Sequence, residues 1–305
     1  MSTIHTMPEI ITPQSPDQVR IGLCTDTHYW PQKGNHVGSA GNIQLLGETA
    51  ELLNSLVADM NAAELDMALH LGDFTCGGGY FEMLANEFYS AVDTVHSALV
   101  QLTAPVWGLP GNHDCPPGGG RWTYAEECWG LQPGLGRTID TPHARLVLLN
   151  AQGHADAQID AEKPDDPIYG WVYDAELARF DHALATAGGR PVIVCLHQLL
   201  QPWAGDQEWI DFYAVQNAPA VLAIMAKHGN VHAVFQGHAH RFDVQRVDVG
   251  GQPITFVITP AVMEYPLGWL LLDVTPHELH VRLQRLSFPE LAALTRDAGA
   301  VFRCA

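Results

Sequence analysis

Short apolar runs and longer amphipathic segments alternate along most of the chain. The apolar runs predict β-strands at residues 19–25, 67–71, 105–109, 145–149, 191–196 and 232–235. Apolar residues at helical spacing predict helices at residues 43–63, 81–102, 174–187 and 219–228. Because strands and helices alternate, the pattern indicates an α/β protein with a largely parallel central sheet.

The pattern changes towards the C-terminus and at three irregular stretches. Consecutive runs at 254–259, 269–274 and 278–286, joined by short turns, predict antiparallel strands. We interpret 19–286 as one domain, preceded by a flexible segment at 1–18 and followed by a weakly helical tail at 287–305. Loops rich in Gly, Pro, Trp and Tyr occupy the irregular stretches, and loops of such length commonly serve function. They span 29–41, 115–142 and 151–173.

Composition narrows the class of protein. The 305 residues are 47% hydrophobic, enough for a large core, and the formal net charge is -19. Such a charge repels nucleic acid and anionic lipid, which disfavours duplex binding and a membrane surface. We expect no membrane span and no signal peptide, because the chain has no long apolar run and no basic start. Its six cysteines form no CxxC pair, which favours reduced thiols in a cytoplasmic protein.

Side chains that bind metal ions follow five of the predicted strands. Since ligand sites gather at the carboxyl ends of strands in α/β sheets, we expect these distant segments to converge. The segments are Asp26-Thr27-His28, Gly72-Asp73, Gly111-Asn112-His113-Asp114, His197 and Gly237-His238-Ala239-His240.

The residue types indicate the chemistry of this site. Asp, Asn and His offer nitrogen and oxygen ligands without thiolate, which suits Mn, Fe, Zn, Co or Ni without selecting among them. Two metal ions roughly 3.5–4 Å apart can clamp the oxygens of an in-line displacement at phosphorus. With two divalent ions, two carboxylates and a bridging hydroxide, the centre would carry a net charge of roughly +1, which attracts phosphate.

The motifs D-x-H, GD, GNHD, a lone His and GHxH, in this order, resemble those of the calcineurin-like metallophosphoesterase superfamily. The chain is most similar to its class III cyclic-nucleotide phosphodiesterase and glycerophosphodiesterase branch. The resemblance implies a four-layer α/β/β/α sandwich with two central mixed β-sheets. It also implies one metal bound by Asp26, His28 and His240, a second bound by Asn112, His197 and His238, and Asp73 bridging both.

Other residues are candidates for catalysis and substrate binding. The resemblance implies that His113 acts as an acid on the leaving oxygen or stabilises the transition state. Asp114 would orient the His113 ring or contact the substrate. Four residues near the ligand segments are candidate substrate contacts: His36, Tyr169, Trp171 and Gln198.

The leading hypothesis is hydrolysis of a small organic phosphodiester by a metal-bridging hydroxide. The substrate would be of the cyclic-nucleotide or glycerophosphodiester type, and the cofactors two divalent or trivalent ions of Mn, Fe or Zn. The alternatives within enzymes are a phosphomonoesterase and a nucleotide diphosphatase. A nuclease is disfavoured by the acidic charge. A non-catalytic scaffold of the same fold is disfavoured because every ligand and His113 are present. Self-association into a homo-oligomer is left open.

Overall fold

The computed structural model describes residues 7–38, 42–204 and 210–288. The strands are β1 (Glu9–Ile10), β2 (Val19–Cys24), β3 (His36–Val37), β4 (Ile43–Gln44), β5 (Met67–His70), β6 (Val106–Gly108), β7 (Arg137–Asp140), β8 (Arg145–Leu148), β9 (Val192–Leu196), β10 (Val231–Gln236), β11 (Asp243–Val249), β12 (Gln252–Ile258), β13 (Gly268–Val274) and β14 (Leu279–Arg285). The helices are α1 (Thr49–Ala62), α2 (Ala85–Leu99), α3 (Thr123–Cys128), α4 (Asp156–Glu162), α5 (Asp174–Ala185), α6 (Ile210–Tyr213) and α7 (Ala218–His228).

Two mixed β-sheets form the centre of the molecule. The seven-stranded sheet has the order β1-β7-β8-β9-β10-β12-β11, and the five-stranded sheet has the order β14-β13-β2-β5-β6. Neighbouring strands are parallel from β8 to β12 and from β2 to β6. Antiparallel pairs adjoin the first block on both sides and the second block at β2. The predicted pair of mixed sheets is confirmed.

Side chains of the seven-stranded sheet alternate between two cores. Ile193 and Cys195 of β9 belong to the cluster that also contains the five-stranded sheet. Val194, between them, packs in a second cluster with Phe180 of α5 and Met225 of α7. Because successive side chains of a strand point to opposite faces, one face of this sheet meets the other sheet and its opposite face meets helices.

The outer face of the five-stranded sheet is covered by the α1 region. A Cβ atom added at Gly22 of β2 would lie 2.5 Å from Leu65 Cδ1 and 3.4 Å from the terminal methyl of Met60. Leu52 and Leu56 of α1 are fully buried in the same cluster. The layers are therefore helix, sheet, sheet and helix.

The first two helices are shorter than predicted. The predicted helix at 43–63 begins only at Thr49, because residues 43–44 pair as a strand with His36–Val37. The predicted helix at 81–102 begins at Ala85, where the Glu87 side chain accepts a hydrogen bond from the Leu84 backbone N–H at 3.0 Å. Apolar residues at helical spacing also occur on the N-terminal side of both helices, so this spacing alone does not show where each helix begins.

The pairing predicted for the C-terminal strands is partly wrong. The antiparallel pairing of β13 with β14 agrees with the prediction. However, β12 lies in the other sheet, parallel to β10 and antiparallel to β11. The sequence pattern missed β11 because its residues alternate between exposed and half-buried positions, as expected of an edge strand, and form no apolar run.

The irregular stretches and termini contain short elements. Helix α3 and strand β7 lie within 115–142, and α4 lies within 151–173. In the segment predicted to be flexible, Glu9–Ile10 pairs with β7, and Glu9 accepts a hydrogen bond from Trp107 Nε1 at 2.7 Å. Residues 1–6 and the predicted tail beyond 288 lie outside the described residues. Within the described ranges, no helix is long and apolar enough to cross a membrane.

Candidate metal centre

The metal-binding motifs follow β2, β5, β6, β9 and β10, so both sheets contribute to one edge. Backbone hydrogen bonds tie the motif turns together. The Asp26 N–H donates to Gly72 O at 2.9 Å, the His28 N–H to Asp73 O at 3.0 Å, and the Gly237 N–H to His197 O at 2.8 Å. The turns thus extend the strand pairing beyond the strands and hold the side chains of different motifs side by side.

Two of the motif glycines allow a close approach of the GD and GNHD turns. A Cβ atom at Gly72, whose φ is +105°, would lie 2.7 Å from Gly111 Cα. A Cβ atom at Gly111 would lie 2.8 Å from Asp73 Cγ. Distances under 3 Å are not found for real Cβ atoms. Glycine is therefore required at both positions to bring Asp73 against the turn that carries Asn112.

Most of the predicted ligands have an unusual backbone conformation. A positive φ is rare for residues other than glycine and costs of order 1–3 kcal/mol each. Five of the seven predicted ligands adopt it, and such strain persists only where the surrounding structure enforces it. They are Asp26 (54°), His28 (44°), Asp73 (54°), His238 (65°) and His240 (50°).

One group of side chains surrounds the position predicted for the first metal. Nε2 of His28 lies 3.1 Å from Nε2 of His240 and 3.4 Å from Oδ2 of Asp73. Oδ1 of Asp26 lies 3.3 Å from Nε2 of His240. Each of the four residues offers one ligand atom, and these atoms all lie within 4.8 Å of one another. The spacing is that of atoms that share one cation.

A second group shares Asp73 with the first. Nε2 of His197 lies 3.2 Å from Oδ2 of Asp73 and 3.2 Å from Oδ1 of Asn112. The rings of His197 and His238 have centroids 5.0 Å apart, and the ligand atoms of Asp73, His197 and His238 lie within 4.8 Å of one another. All seven predicted ligands therefore meet in two groups, with Asp73 common to both.

The donor atoms fit two metal ions. Among the described residues, Asp26 Oδ1, Asp73 Oδ2 and His238 Nε2 are buried without a hydrogen-bond partner of ordinary geometry. Leaving a buried polar atom unpaired costs about 1–3 kcal/mol, and more for a charged group. These three atoms face the imidazole nitrogens of the neighbouring ligands. Bound cations would satisfy all of them at once.

The two carboxylates set the electrostatics of the centre. Burial raises the pKa of Asp73, but the neighbouring His197 and His113 outweigh burial and hold it below its usual value. Burial lowers the pKa of His197, but Asp73 and Asp26 dominate and raise it to about 9. The carboxylates thus remain charged and favour positive charge on their neighbours, as expected at a cation site.

A second layer of contacts orients the ligand rings. Glu264 Oε2 lies 2.9 Å from His240 Nδ1, and its Oε1 accepts a hydrogen bond from Asn42 Nδ2 at 2.7 Å. His197 Nδ1 donates to the Leu71 carbonyl at 2.9 Å. These bonds leave Nε2 of both rings directed at the centre. The sequence analysis did not identify Glu264. Its sequence signal is weak, because Glu264 is a single acidic residue that follows the apolar residues 261–263.

His113 lies beside the ligands and lines a cavity next to them. Its backbone N–H donates to Asp73 Oδ1 at 2.8 Å, and its Nδ1 donates to the Gly77 carbonyl at 2.9 Å. Burial lowers the pKa of His113 to about 4. Since Nδ1 is occupied by Gly77, Nε2 is the nitrogen available to a bound molecule.

Asp114 occupies neither of its predicted positions. Its side chain is fully buried and accepts hydrogen bonds from the backbone N–H groups of Phe74 and Gly111, both at 2.8 Å. The carbonyl of Gly77, not Asp114, orients the His113 ring. Asp114 fixes the two motif turns to each other, and this structural role replaces the catalytic role predicted for it.

A cavity of about 660 Å³ opens over the two ligand groups. Of the predicted substrate contacts, Tyr169 lines this cavity. His36 does not line the cavity; its ring centroid lies 5.6 Å from that of Phe81, and its backbone pairs with Gln44, and both of these residues line it. Gln198 is fully buried and donates to the Ile168 carbonyl at 3.2 Å, so it supports the wall rather than contacting a ligand. Trp171 is not among the residues that line the cavity.

The two mixed sheets and the paired His/Asp groups at their common edge define the class as a metallophosphoesterase with a dinuclear metal site. The sequence profile of calcineurin-like phosphoesterases matches residues 19–242, and the chain belongs to this family.

The relatives that have a functional name share little sequence identity with this chain. The chain is 25% identical over 224 residues to a probable cyclic nucleotide phosphodiesterase of Pseudoalteromonas sp. (strain SM9913). This alignment covers 73% of this chain and 72% of the relative. It is 26% identical over 196 residues to a 3',5'-cyclic-nucleotide phosphodiesterase of Nostoc sp. (strain PCC 7120). That match covers 63% of either chain, so it spans less than two thirds of the relative.

Solved structures support the fold. A dimetal phosphatase from Danio rerio aligns with a TM-score of 0.65 at 15% identity, covering 86% of this chain and 98% of that chain. GAP50, the anchor in the inner membrane complex of Plasmodium, aligns with a TM-score of 0.51 at 10% identity, covering 92% and 95%. At these identities the likeness concerns the fold alone.

Proposed function

We propose that the protein hydrolyses phosphodiesters of small organic molecules, with two metal ions held by the seven predicted ligands. The observation that carries the preference for diesters is the charge of the cavity. Beyond the metal ligands and Glu264, its lining includes Glu162, Asp165, Asp166 and Asp211, and Arg241 is the one arginine or lysine among the described residues that line it. A phosphomonoester dianion or a diphosphate is repelled more strongly by this lining than the single charge of a diester.

The names of the distant relatives support the same choice, since both are described as cyclic nucleotide phosphodiesterases. The fold also occurs in an anchor protein, but a scaffold does not need a complete set of buried ligand atoms. The identity of the metals stays a prediction among Mn, Fe and Zn. We also propose a cytoplasmic location, which the free thiols of the described cysteines support.

The metal ions, when bound, supply Lewis acidity and make hydroxide available from water at neutral pH. The side chains of the protein position these ions and the substrate. Asp73 belongs to both ligand groups and fixes their positions relative to each other. The Gly77 carbonyl fixes the His113 ring so that Nε2 addresses the cavity. The anionic phosphate of a bound substrate favours the protonated ring, and His113 then gives its Nε2 proton to the leaving oxygen.

The test compares a diester with a monoester that has the same leaving group. The protein is loaded with Mn²⁺, and kcat/KM is measured for bis(p-nitrophenyl) phosphate and for p-nitrophenyl phosphate. We expect faster hydrolysis of the diester. A monoester that is hydrolysed as fast or faster would reject the proposed substrate class and leave the family unchanged.

A further inference from the structure

His70, the last residue of β5, is fully buried among aromatic side chains. Its ring packs on Phe74 with 4.4 Å between ring centroids, and Phe74 stacks on Trp129 at 5.2 Å. The neighbouring strand leaves room for this stack, because a Cβ atom at Gly108, which pairs with His70, would lie 2.5 Å from the Trp129 ring. The imidazole is therefore kept away from water, and its two nitrogens need partners within the protein.

Both ring nitrogens of His70 have such a partner. Nδ1 accepts a hydrogen bond from the Gly72 backbone N–H at 3.1 Å. A neutral imidazole has one acceptor and one donor nitrogen, so the proton is on Nε2, which donates to Thr27 Oγ1 at 2.5 Å. Burial lowers the pKa of His70 to about 3, although the carboxylates of Asp26 and Asp73 act in the opposite direction. The ring is therefore neutral, and its two bonds require this one tautomer.

The two bonds of the imidazole join the turns that carry three of the predicted ligands. Thr27 lies between Asp26 and His28 in sequence, and Gly72 directly precedes Asp73. All three ligands and Gly72 have a positive φ, a conformation that persists only where the surrounding structure enforces it. The imidazole thus holds two strained turns together, in addition to the backbone hydrogen bonds between them.

His70 touches neither a metal position nor the cavity. Within the described ranges, it belongs to neither ligand group and is not among the residues that line the cavity. An apolar side chain of similar size would fill the same space without the cost of removing two nitrogens from water. Such a side chain could not bond to Thr27. What the imidazole adds to the packing is therefore the connection between the two turns.

We propose that His70 is a positioning residue of the metal centre, which holds Thr27 against the Gly72 turn and so fixes two ligands relative to Asp73. This role rests on the metal centre of the proposed function, but not on its substrate. The first ligand group takes Asp26, His28 and Asp73 from these turns, whereas the second takes only Asp73. Binding at the first metal position should therefore depend on His70 more than binding at the second.

Three variants test the bond between Thr27 and His70. Thr27→Val removes the hydroxyl and keeps the shape, and Thr27→Ser restores a hydroxyl. His70→Asn keeps an amide oxygen that can accept the Gly72 N–H, but its side chain is too short to reach Thr27. The intact metal-free proteins are titrated with Mn²⁺, and free Mn²⁺ is measured by EPR. Thr27→Val and His70→Asn should each weaken the binding of one of the two ions by about tenfold, an effect typical of groups that orient ligands. Thr27→Ser should bind both ions as tightly as the unaltered protein.

The EPR spectrum of the bound ions separates positioning from stability. Two Mn²⁺ ions bridged by one carboxylate are spin-coupled, whereas an ion bound alone gives the spectrum of isolated Mn²⁺. At a Mn²⁺ concentration that just fills both positions in the unaltered protein, Thr27→Val and His70→Asn should show the isolated ion.

Thr138→Val is the matched control, because the buried Thr138 hydroxyl accepts a hydrogen bond from Arg179 at 2.9 Å and lies outside both ligand groups. It should lower the melting temperature, since the bond to Arg179 is lost. It should keep both Mn²⁺ affinities and the coupled spectrum.

The double variant Thr27→Val/His70→Asn tests whether the two residues act as a pair. If they act through one hydrogen bond, the loss of affinity in the double variant should be no larger than in the single variants. If His70→Asn fails to fold, the comparison of Thr27→Val with Thr27→Ser and Thr138→Val decides the question.

Three results would overturn the proposal. They are unchanged Mn²⁺ affinity in Thr27→Val, an equal loss of affinity in Thr27→Val and Thr138→Val, and losses that add in the double variant. If the unaltered protein binds two Mn²⁺ ions and hydrolyses bis(p-nitrophenyl) phosphate, these results defeat only the role of His70. An unaltered protein that binds no Mn²⁺ defeats the metal centre of the proposed function, and the role of His70 with it.

Discussion

Asp73 is the residue on which both halves of the centre depend. Its Oδ2 lies 3.4 Å from Nε2 of His28 and 3.2 Å from Nε2 of His197, and its Oδ1 accepts the His113 backbone N–H. One carboxylate therefore links both ligand groups and the residue proposed as the acid.

Asp73→Asn should lose metal and activity together. The amide keeps the size of the side chain but removes the charge that offsets two cations. Metal content by elemental analysis and diester hydrolysis should fall in parallel. A variant that kept its full metal content would show that Asp73 does not bridge.

His113→Ala should separate catalysis from metal binding. His113 belongs to neither of the two groups of metal-ligating side chains, so metal content should be unchanged. Turnover should fall by roughly 10²–10⁴, the usual contribution of a general acid. Full activity of this variant would remove the role assigned to His113.

Glu264→Gln should weaken metal binding without abolishing it. Carboxylates that orient a ligating imidazole typically contribute about 10–100-fold to metal affinity. The chain offers a matched control, because Glu278 pairs with His280 at 2.8 Å on the exposed surface. Glu278→Gln should leave the affinity for Mn²⁺ unchanged. Equal affinities for the two variants would contradict the role of Glu264.

At the scale of elements, the contact between two turns positions the centre. Gly72→Ala should combine a strained φ with a clash against Gly111, and should therefore displace Asp73 and reduce metal content. Gly188→Ala is the control, because Gly188 has a φ of +66° but no atom within 4 Å of an added Cβ. It should lower the free energy of unfolding by about 1–2 kcal/mol, the cost of the left-handed conformation. Its metal content should be normal.

The element scale also explains what the sequence could reveal. Each ligand segment follows a buried parallel strand, and such strands appear in sequence as apolar runs, so the motifs and their convergence were predictable. Strand β11 was not, because an edge strand has only one partner and needs no apolar run. Glu264 acts on His240 from a separate segment of the chain. No local pattern in the sequence marks a carboxylate that orients a histidine 24 residues away.

At the scale of the molecule, metal binding should depend on pH. The pKa of His197 is raised to about 9, and that of His240 is also raised by Asp26 despite burial. Below about pH 9 the metal-free centre therefore holds protons that a metal must displace. Affinity for Mn²⁺ should rise as pH rises from 6 to 9, with protons released on binding. Calorimetry in buffers of different ionisation heat measures this release, and affinity independent of pH would contradict it.

The number of metal ions per chain tests the central claim most directly. The intact protein is loaded with Mn²⁺, freed of excess metal, and analysed for metal and protein together. Two ions per chain are expected, because six ligands form two groups that share Asp73, and the seventh, Asn112, joins the second group through its contact with His197. A ratio near one or below would contradict a dinuclear centre.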